Sequence, residues 1–184
     1  MGFDLHNKTV VITGANSGIG KAAAIQLAQL GAQVVMMCRS AERGAAALEE
    51  VRRAANSDQV ELIQVDMSVQ ASVHRAVGDF LNHHQTLDVL IHNAANFDLT
   101  MKQPLLTPDG VETIFATNHV NIFLMTQLLL DRLKASAPSR IITVASKGLI
   151  TYPLLDIEFD NLNGEKNFNP QHAYYHAKQA QVMF

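Results

Sequence analysis

The sequence predicts an α/β fold built on a doubly wound parallel sheet, and three features of its pattern lead to that prediction. Five short runs rich in β-branched residues lack strict alternation, so we expect strands that are buried on both faces. Longer segments with helical periodicity separate these runs. The first run leads directly into a glycine-rich turn. Strands that alternate with helices favour right-handed βαβ units in one parallel sheet.

Five strands and four intervening helices follow from this pattern. We expect the strands at 9–13, 33–37, 60–65, 87–91 and 140–144. The clearest helical stripe follows Ser68, which we expect to be the N-cap, and it comprises Val69, Val73, Ala76, Val77 and Phe80. Residues 147–172 are rich in Asn, Gly and Pro and predict a long loop, and loops of that length are usually functional.

The composition restricts the number of domains and the class of partner. A chain of 184 residues predicts a single domain over 1–184. The net charge of −3 gives no reason to expect nucleic acid or an anionic membrane as a partner. The single cysteine, Cys38, excludes an internal disulfide and fits a reducing compartment. No apolar run approaches the roughly 20 residues of a membrane span, and the start lacks the apolar core of a signal peptide. We therefore expect a cytoplasmic protein without a membrane span.

The segment TGANSGIG after the first strand carries glycines at three spaced positions. Gly14 permits a tight turn, Gly18 lets a pyrophosphate approach the backbone, and Gly20 lets the following helix pack closely. The N-terminus of that helix would face the phosphate charge. This context predicts a dinucleotide site, with a glycine-rich turn without ligand as the alternative. The spacing differs from the commonest fingerprint, Gly-x-Gly-x-x-Gly.

The residues at the end of the second predicted strand indicate which nicotinamide cofactor is bound. It carries no carboxylate for the ribose hydroxyls of NAD. Arg39 stands there instead and could make paired hydrogen bonds to a 2′-phosphate. NADP(H) is therefore the expected cofactor, with NAD(H) left open. The alternative is a solvated surface arginine, since Arg43 is nearby.

A tyrosine and a lysine near the end of the chain have the spacing of one helix face. Tyr174 and Lys178 are four residues apart. An ammonium lowers the phenol pKa from about 10, so the pair could exchange a proton with a carbonyl or alcohol oxygen while hydride moves at a nicotinamide. Tyr175 is three residues from the lysine, so spacing leaves both tyrosines open. His172 and His176 are also four apart, but no acidic or cysteine ligand is evident beside them, and we predict no metal site.

Five motifs in order resemble those of the short-chain dehydrogenase/reductase family. They are TGANSGIG at 13–20, HNAA at 92–95, TNHVNIFLMT at 117–126, RIITVAS at 140–146 and YYHAK at 174–178. Longer phrases around the last two are similar to retinol dehydrogenases and their dehydrogenase/reductase relatives. The resemblance extends over essentially the whole chain.

The resemblance implies a Rossmann-type doubly wound parallel sheet, truncated after the helix that carries Tyr-x-x-x-Lys. Family members continue with a further parallel strand, a loop over nicotinamide and substrate, and a final strand. We therefore expect the domain to be incomplete at its C-terminus and the fifth strand to have an open edge. Three departures from the family motifs, His92, Ala95 and Asn121, remove no reactive group.

The resemblance also assigns roles to individual residues. It selects Tyr174 as the catalytic acid/base, with Lys178 tuning it and binding ribose. Ser146 polarises the substrate oxygen, and Asn118 supports a proton-relaying water, although Asn118 could instead be a buried polar group satisfied by backbone. Asp66 matches the position that contacts adenine, or it caps the next helix. The expected cofactor contacts are Gly14, Asn16, Ser17, Gly18, Ile19, Gly20, Arg39, Asp66, Met67, Asn93, Ala94, Tyr174 and Lys178.

Two functions follow as hypotheses. The first is an NADP(H)-dependent oxidoreductase that interconverts an alcohol and a carbonyl on a small, lipophilic substrate. The second is a module that binds the cofactor but is catalytically inactive and acts in regulation or partner binding. Both leave a homo-oligomer open.

Overall fold

The structure is a computed structural model that describes residues 4–152 and 155–184. Five parallel strands form one sheet in the order β3-β2-β1-β4-β5. The strands are β1 Thr9–Thr13, β2 Gln33–Cys38, β3 Val60–Gln64, β4 Val89–His92 and β5 Arg140–Thr143. The predicted doubly wound parallel sheet is confirmed, and strand ends differ from the prediction by two residues at most.

Helices pack on both faces of the sheet. They are α1 Gly18–Gln29, α2 Ala41–Ala55, α3 Gln70–His83, α4 Thr113–Phe115, α5 Asn121–Ala135 and α6 Pro170–Met183. A π-helical turn, Ala116–Val120, joins α4 to α5. Successive residues of β1 point to opposite faces, so Val10 belongs to the core under α1 and α2, and Val11 to the core under α3 and α5. The central strands β1, β2 and β4 are therefore apolar without alternation because both faces are covered. The prediction of burial on both faces is wrong for β3 and β5, which lie at the two edges of the sheet and are only partly buried.

The predicted cap of α3 is wrong. The N-cap is Val69, and the helix begins at Gln70. The Ser68 hydroxyl donates to Asp66 Oδ1 at 2.7 Å and lies one residue before the N-cap. Asp109 Oδ2 accepts from the Gln70 amide at 2.9 Å instead. The predicted stripe is confirmed where it matters for packing, since Val73, Ala76, Val77 and Phe80 are buried.

The segment predicted as a loop over 147–172 is more regular than expected, and its positions 153 and 154 lie outside the described residues. A 3₁₀ helix spans Lys147–Thr151, and α6 begins at Pro170 rather than after His172. Asn169 Oδ1 caps α6 by accepting from the His172 amide at 3.0 Å. Asparagine at the N-cap followed by proline is a strong helix start, which the loop prediction overlooked.

β5 lies at the edge of the sheet and pairs with β4 alone among the described strands. Ile141 and Ile142 are 42% and 47% exposed, whereas all five residues of β1 are buried. The expected open edge is confirmed. The end of α6 is exposed as well, at Val182 and Met183.

The continuous helical segment Thr113–Ala135 is long and apolar enough to cross a membrane by length and composition. The sequence-based statement that no apolar run approaches this length is therefore too strong. Half of the segment's most apolar window is buried inside the fold, as in the core helix of many proteins. The absence of a membrane span and the cytoplasmic location both stay predictions.

Candidate active site

A cavity of about 400 Å³ opens at the carboxyl ends of the strands, beside the point where the strand order reverses between β1 and β4. Ligands of doubly wound sheets bind at such a crevice. Eight of the predicted cofactor residues line it, namely Gly14, Asn16, Ser17, Arg39, Asp66, Met67, Asn93 and Ala94. Gly18, Ile19 and Gly20 continue from the turn into α1. Tyr174 and Lys178 lie outside this lining.

The glycine turn has the conformation and spacing that a phosphate loop needs. Gly14 has a φ of +68°, and a Cβ there would stand 2.8 Å from the Ala94 Cα. A Cβ on Gly20 would stand 2.4 Å from Asn93 Nδ2. Gly18 differs, because a Cβ there would meet nothing within 4 Å. Two glycines thus allow close packing, and the third faces open space at the start of α1.

Asn93 connects the end of β4 to the glycine turn. Its Nδ2 donates to Thr13 O at 3.0 Å and to Gly14 O at 3.2 Å. The Thr13 hydroxyl in turn accepts from the amides of Asn93 and Ala94. Thr13 was not among the predicted site residues, although it is the first residue of the quoted glycine motif. Together these bonds fix the turn without any ligand.

The far end of the cavity contains both positive and negative side chains. Arg39 is exposed and follows β2, while Arg43 on the first turn of α2 lines the same cavity. Ser40 caps α2 by accepting from the Arg43 amide at 3.2 Å. Asp66 Oδ1 accepts from the amide and hydroxyl of Ser68 at 2.8 and 2.7 Å. Asp66 therefore shapes the turn before α3 while lining the cavity, so its structural role does not compete with contact to an adenine.

Asn118 sits in the π-helical turn and is fully buried. Its Oδ1 accepts from the Asn96 amide and its Nδ2 donates to Asn96 O, both at 2.8 Å. The backbone therefore satisfies this side chain, as the structural alternative predicted. Single π turns occur often at functional sites. Asn118 holds the segment after β4 in place whether or not it also supports a water.

The two tyrosines of α6 have different surroundings. The Tyr174 ring packs on Phe97 at a centroid distance of 4.2 Å and lies 5.8 Å from Lys178 Nζ. Tyr175 packs on Tyr152 and covers Gly148, where a Cβ would stand 2.3 Å from its Oη. Spacing left both tyrosines open, but only Tyr174 has its ring beside the lysine. Phe97 was not predicted as a site residue because nothing in the sequence indicates its contact with α6.

Lys178 is 2% exposed and connects α6 to the sheet. Its Nζ donates to Val144 O and to Gln181 Oε1, both at 2.8 Å. Burial lowers the pKa of Lys178 to about 8. Val144 precedes Ser146 by two residues, so the lysine fixes the helix of Tyr174 against the strand that leads to Ser146.

Ser146 follows β5 and caps the 3₁₀ helix, with its hydroxyl accepting from the Gly148 amide at 3.3 Å. Within the described ranges, no hydrogen bond joins the side chains of Ser146, Tyr174 and Lys178 to one another. The predicted catalytic residues thus share one edge of the sheet without forming a connected network.

The departures from the family motifs make contacts of their own. His92 is buried, and its Nε2 lies 2.8 Å from the Thr126 hydroxyl, which itself donates to Ile122 O. His92 Nε2 must therefore carry the proton. Burial lowers the pKa of this histidine to about 4, so it stays neutral. Asn121 donates to Met67 O at 2.8 Å and so supports the floor of the cavity.

The histidines of α6 make an aromatic stack with their neighbours. His172 and His176 are stacked at 5.8 Å, and His176 Nε2 accepts from the Glu158 amide. In the part of the chain that the structure describes, no group of three His, Cys, Asp or Glu side chains is arranged to hold a metal. The absence of a metal stays a prediction.

Comparison with known proteins identifies the family. A family model described as short chain dehydrogenase matches residues 8–154. Retinol dehydrogenase 11 of Homo sapiens is 42% identical over 180 residues, covering 98% of this chain and 55% of the relative. Retinol dehydrogenase 14 of Homo sapiens is 43% identical over 193 residues, covering 98% and 56%. The chain belongs to the short-chain dehydrogenase family, and its similarity to retinol dehydrogenase-like members is confirmed. It spans about half the length of these curated relatives.

Solved structures agree with the fold. An uncharacterized protein from Mycobacterium Paratuberculosis has a TM-score of 0.79 at 34% identity, over 98% of this chain and 60% of that one. A short chain dehydrogenase from Escherichia coli CFT073, complexed with NADPH, has a TM-score of 0.74 at 21% identity, over 97% and 69%. At that identity the second likeness concerns the fold alone.

Proposed function

We propose that the protein is an NADP(H)-dependent oxidoreductase that interconverts an alcohol and a carbonyl. The observation that carries the proposal is the hydrogen bond from Lys178 Nζ to Val144 O. It holds the helix of Tyr174 against the strand that leads to Ser146, on the same sheet edge as the dinucleotide cavity. A phenol, an ammonium and a hydroxyl at that edge suit proton transfer to or from a substrate oxygen.

The residues of the cavity fit a dinucleotide. The first turn of α1 has no side-chain cap, so its amides remain available to a phosphate. Gly18 leaves open space in front of them. Arg39 and Arg43 line the same cavity, and their guanidinium groups suit a 2′-phosphate. NAD(H), which lacks that phosphate, is the alternative cofactor. The bound nicotinamide would supply or accept the hydride.

This chain's own residues would manage the proton and the polarisation of the substrate. Tyr174 Oη donates a proton to the carbonyl oxygen in reduction and receives it in oxidation. The Lys178 ammonium places a positive charge 5.8 Å from the centre of the Tyr174 ring. The Ser146 hydroxyl donates to the same substrate oxygen and stabilises its developing charge. Asn118 holds the segment after β4 in place through its two hydrogen bonds to the Asn96 backbone.

A lipophilic substrate is part of the proposal. The curated relatives are named as retinol dehydrogenases. Phe97 and Leu99 are about half exposed, and Phe97 packs on Tyr174. An apolar alcohol or aldehyde could bury this surface as it approaches the phenol.

One experiment separates this function from a cofactor-binding but inactive module. Two observations favour the inactive module: the edge of β5 is open, and among the described residues no hydrogen bond joins the side chains of Ser146, Tyr174 and Lys178. NADPH binding is followed by the fluorescence of the reduced nicotinamide, and turnover by its loss with a panel of lipophilic aldehydes and ketones. Binding with turnover supports the enzyme. Binding without turnover on any carbonyl supports the inactive module, and no binding contradicts both.

A further inference from the structure

Gln181 lies one helical turn after Lys178 on α6 and is as deeply buried, with 2% of its surface exposed. Its Oε1 is one of two acceptors for the lysine ammonium, at 2.8 Å. The other is the backbone oxygen of Val144, also at 2.8 Å. The ammonium has three N–H donors, so these two bonds leave one for another acceptor.

The orientation of the Gln181 amide follows from chemistry. An ammonium only donates, so the atom it contacts must be the amide oxygen. The amide nitrogen then points away, and in the described part of the chain Gln181 Nε2 is buried without a hydrogen-bond partner. Leaving a buried donor unpaired costs free energy. An apolar side chain of similar length would avoid that cost if the position served packing alone.

The surroundings of Lys178 make the glutamine oxygen important for its charge. β5 contributes a backbone carbonyl, and α6 contributes the Tyr174 ring 5.8 Å away. Burial is the cause of the lowered pKa, and no charged side chain of the described residues offsets it. The partial negative charges of two oxygens therefore stabilise the ammonium.

We propose that Gln181 is a positioning residue for Lys178, whose amide oxygen holds the ammonium in place and keeps it protonated beside Tyr174. The third N–H is thereby directed to the site, where a ribose hydroxyl or the tyrosine can accept it. This inference rests on the proposed function, since positioning matters only if Lys178 tunes Tyr174. The contact itself can be tested without turnover.

The test is a direct titration of Lys178 by NMR. The protein is labelled with lysine that carries ¹³C at Cε, and the Cε shift is followed against pH. The signal of Lys178 is assigned by its absence from Lys178→Arg. Gln181→Met keeps the length of the side chain but removes the acceptor, and we expect the pKa of Lys178 to fall by about one unit. Gln181→Glu places a carboxylate there, and we expect the pKa to rise.

A neighbouring glutamine serves as the matched control. Gln179 is on the same helix, so Gln179→Met makes the same chemical change two residues away and should leave the titration of Lys178 unaltered. An unchanged pKa in both Gln181→Met and Gln181→Glu overturns the inference. If Gln181→Met does not fold, the rise in Gln181→Glu decides alone. If the pKa of Lys178 fell in Gln181→Met and rose in Gln181→Glu while the wild type showed no turnover, the contact between Gln181 and Lys178 would be supported and the proposed enzymatic function would be contradicted.

Discussion

The glycine-turn side of the sheet and the α6 side differ in how completely the fold has fixed them. On the first side β1 is fully buried, and Thr13 and Asn93 tie the turn to β4 through four hydrogen bonds. On the second side β5 has a half-exposed edge, and Ser146 and Tyr174 share no hydrogen bond. The comparison teaches that hydrogen bonds within the chain fix the predicted cofactor cleft, whereas α6, with Tyr174, is joined to the edge strand side by the bond from Lys178 Nζ to Val144 O.

The largest effect should come from the phenol on the α6 side. Tyr174→Phe removes the proposed acid/base but retains the ring that packs on Phe97. We expect turnover to fall by about 10²–10⁴-fold with little change in NADPH affinity. Tyr175→Phe is the control and should keep most activity, because its phenol faces Gly148. Single-turnover hydride transfer measures the rate in both variants. An inactive Tyr175→Phe beside an active Tyr174→Phe would show that Tyr175, and not Tyr174, is the acid/base.

Acid should destabilise the cofactor side through His92. Burial lowers the pKa of this histidine from 6.5 to about 4, so the unfolded state binds more protons between these values. Its contribution to stability is complete above pH 6.5 and is lost as pH falls towards 4, by roughly 3 kcal/mol in all. Urea unfolding across this range measures the loss. In His92→Asn the slope should be reduced, and an identical slope would mean that other groups cause it.

Arg39→Ala tests whether the cleft distinguishes the two cofactors. A charge-assisted contact to a 2′-phosphate contributes about 1.5–3 kcal/mol, so NADPH affinity should fall by roughly tenfold or more. NADH is the internal control, since it lacks that phosphate and should bind almost unchanged. Fluorescence titration with both cofactors gives the ratio. Equal losses would show that Arg39 does not contact the 2′-phosphate.

Two separate glycine-to-alanine variants compare the stability cost of a methyl group in the tightly packed glycine turn with its cost on an open helix surface. Gly20→Ala puts a Cβ within 2.6 Å of Gly14 O and closer still to Asn93, so we expect a loss of about 1–3 kcal/mol in unfolding free energy. Gly78 is in α3 and has nothing within 4 Å of its missing Cβ. Gly78→Ala should stabilise the protein by about 0.5–1 kcal/mol. Equal effects at both positions would contradict the tight packing of the turn.

Much of the fold was predictable because the central strands β1, β2 and β4 are buried on both faces and are therefore continuous apolar runs in the sequence. The glycine turn was predictable because each glycine meets a local requirement of backbone or contact. The cap of α3 was not predictable, because the turn that Ser68 makes with Asp66 delays the start of the helix by one residue. The contacts of Phe97 with Tyr174 and of Gln181 with Lys178 depend on how α6 docks, which no local pattern specifies.

Hydrogen exchange with and without NADPH tests the contrast between the two sides most directly. Peptides from β1 should be protected in the free protein and should change little with NADPH. The uncapped amides at the start of α1 should exchange faster in the free protein and gain protection when they bind a phosphate. Peptides from 147–152 and from α6 should exchange faster in the free protein and gain protection with NADPH, because Lys178 and Tyr174 then contact the ligand. If NADPH instead protected the glycine-turn side alone and left α6 unchanged, α6 would not belong to the cofactor site.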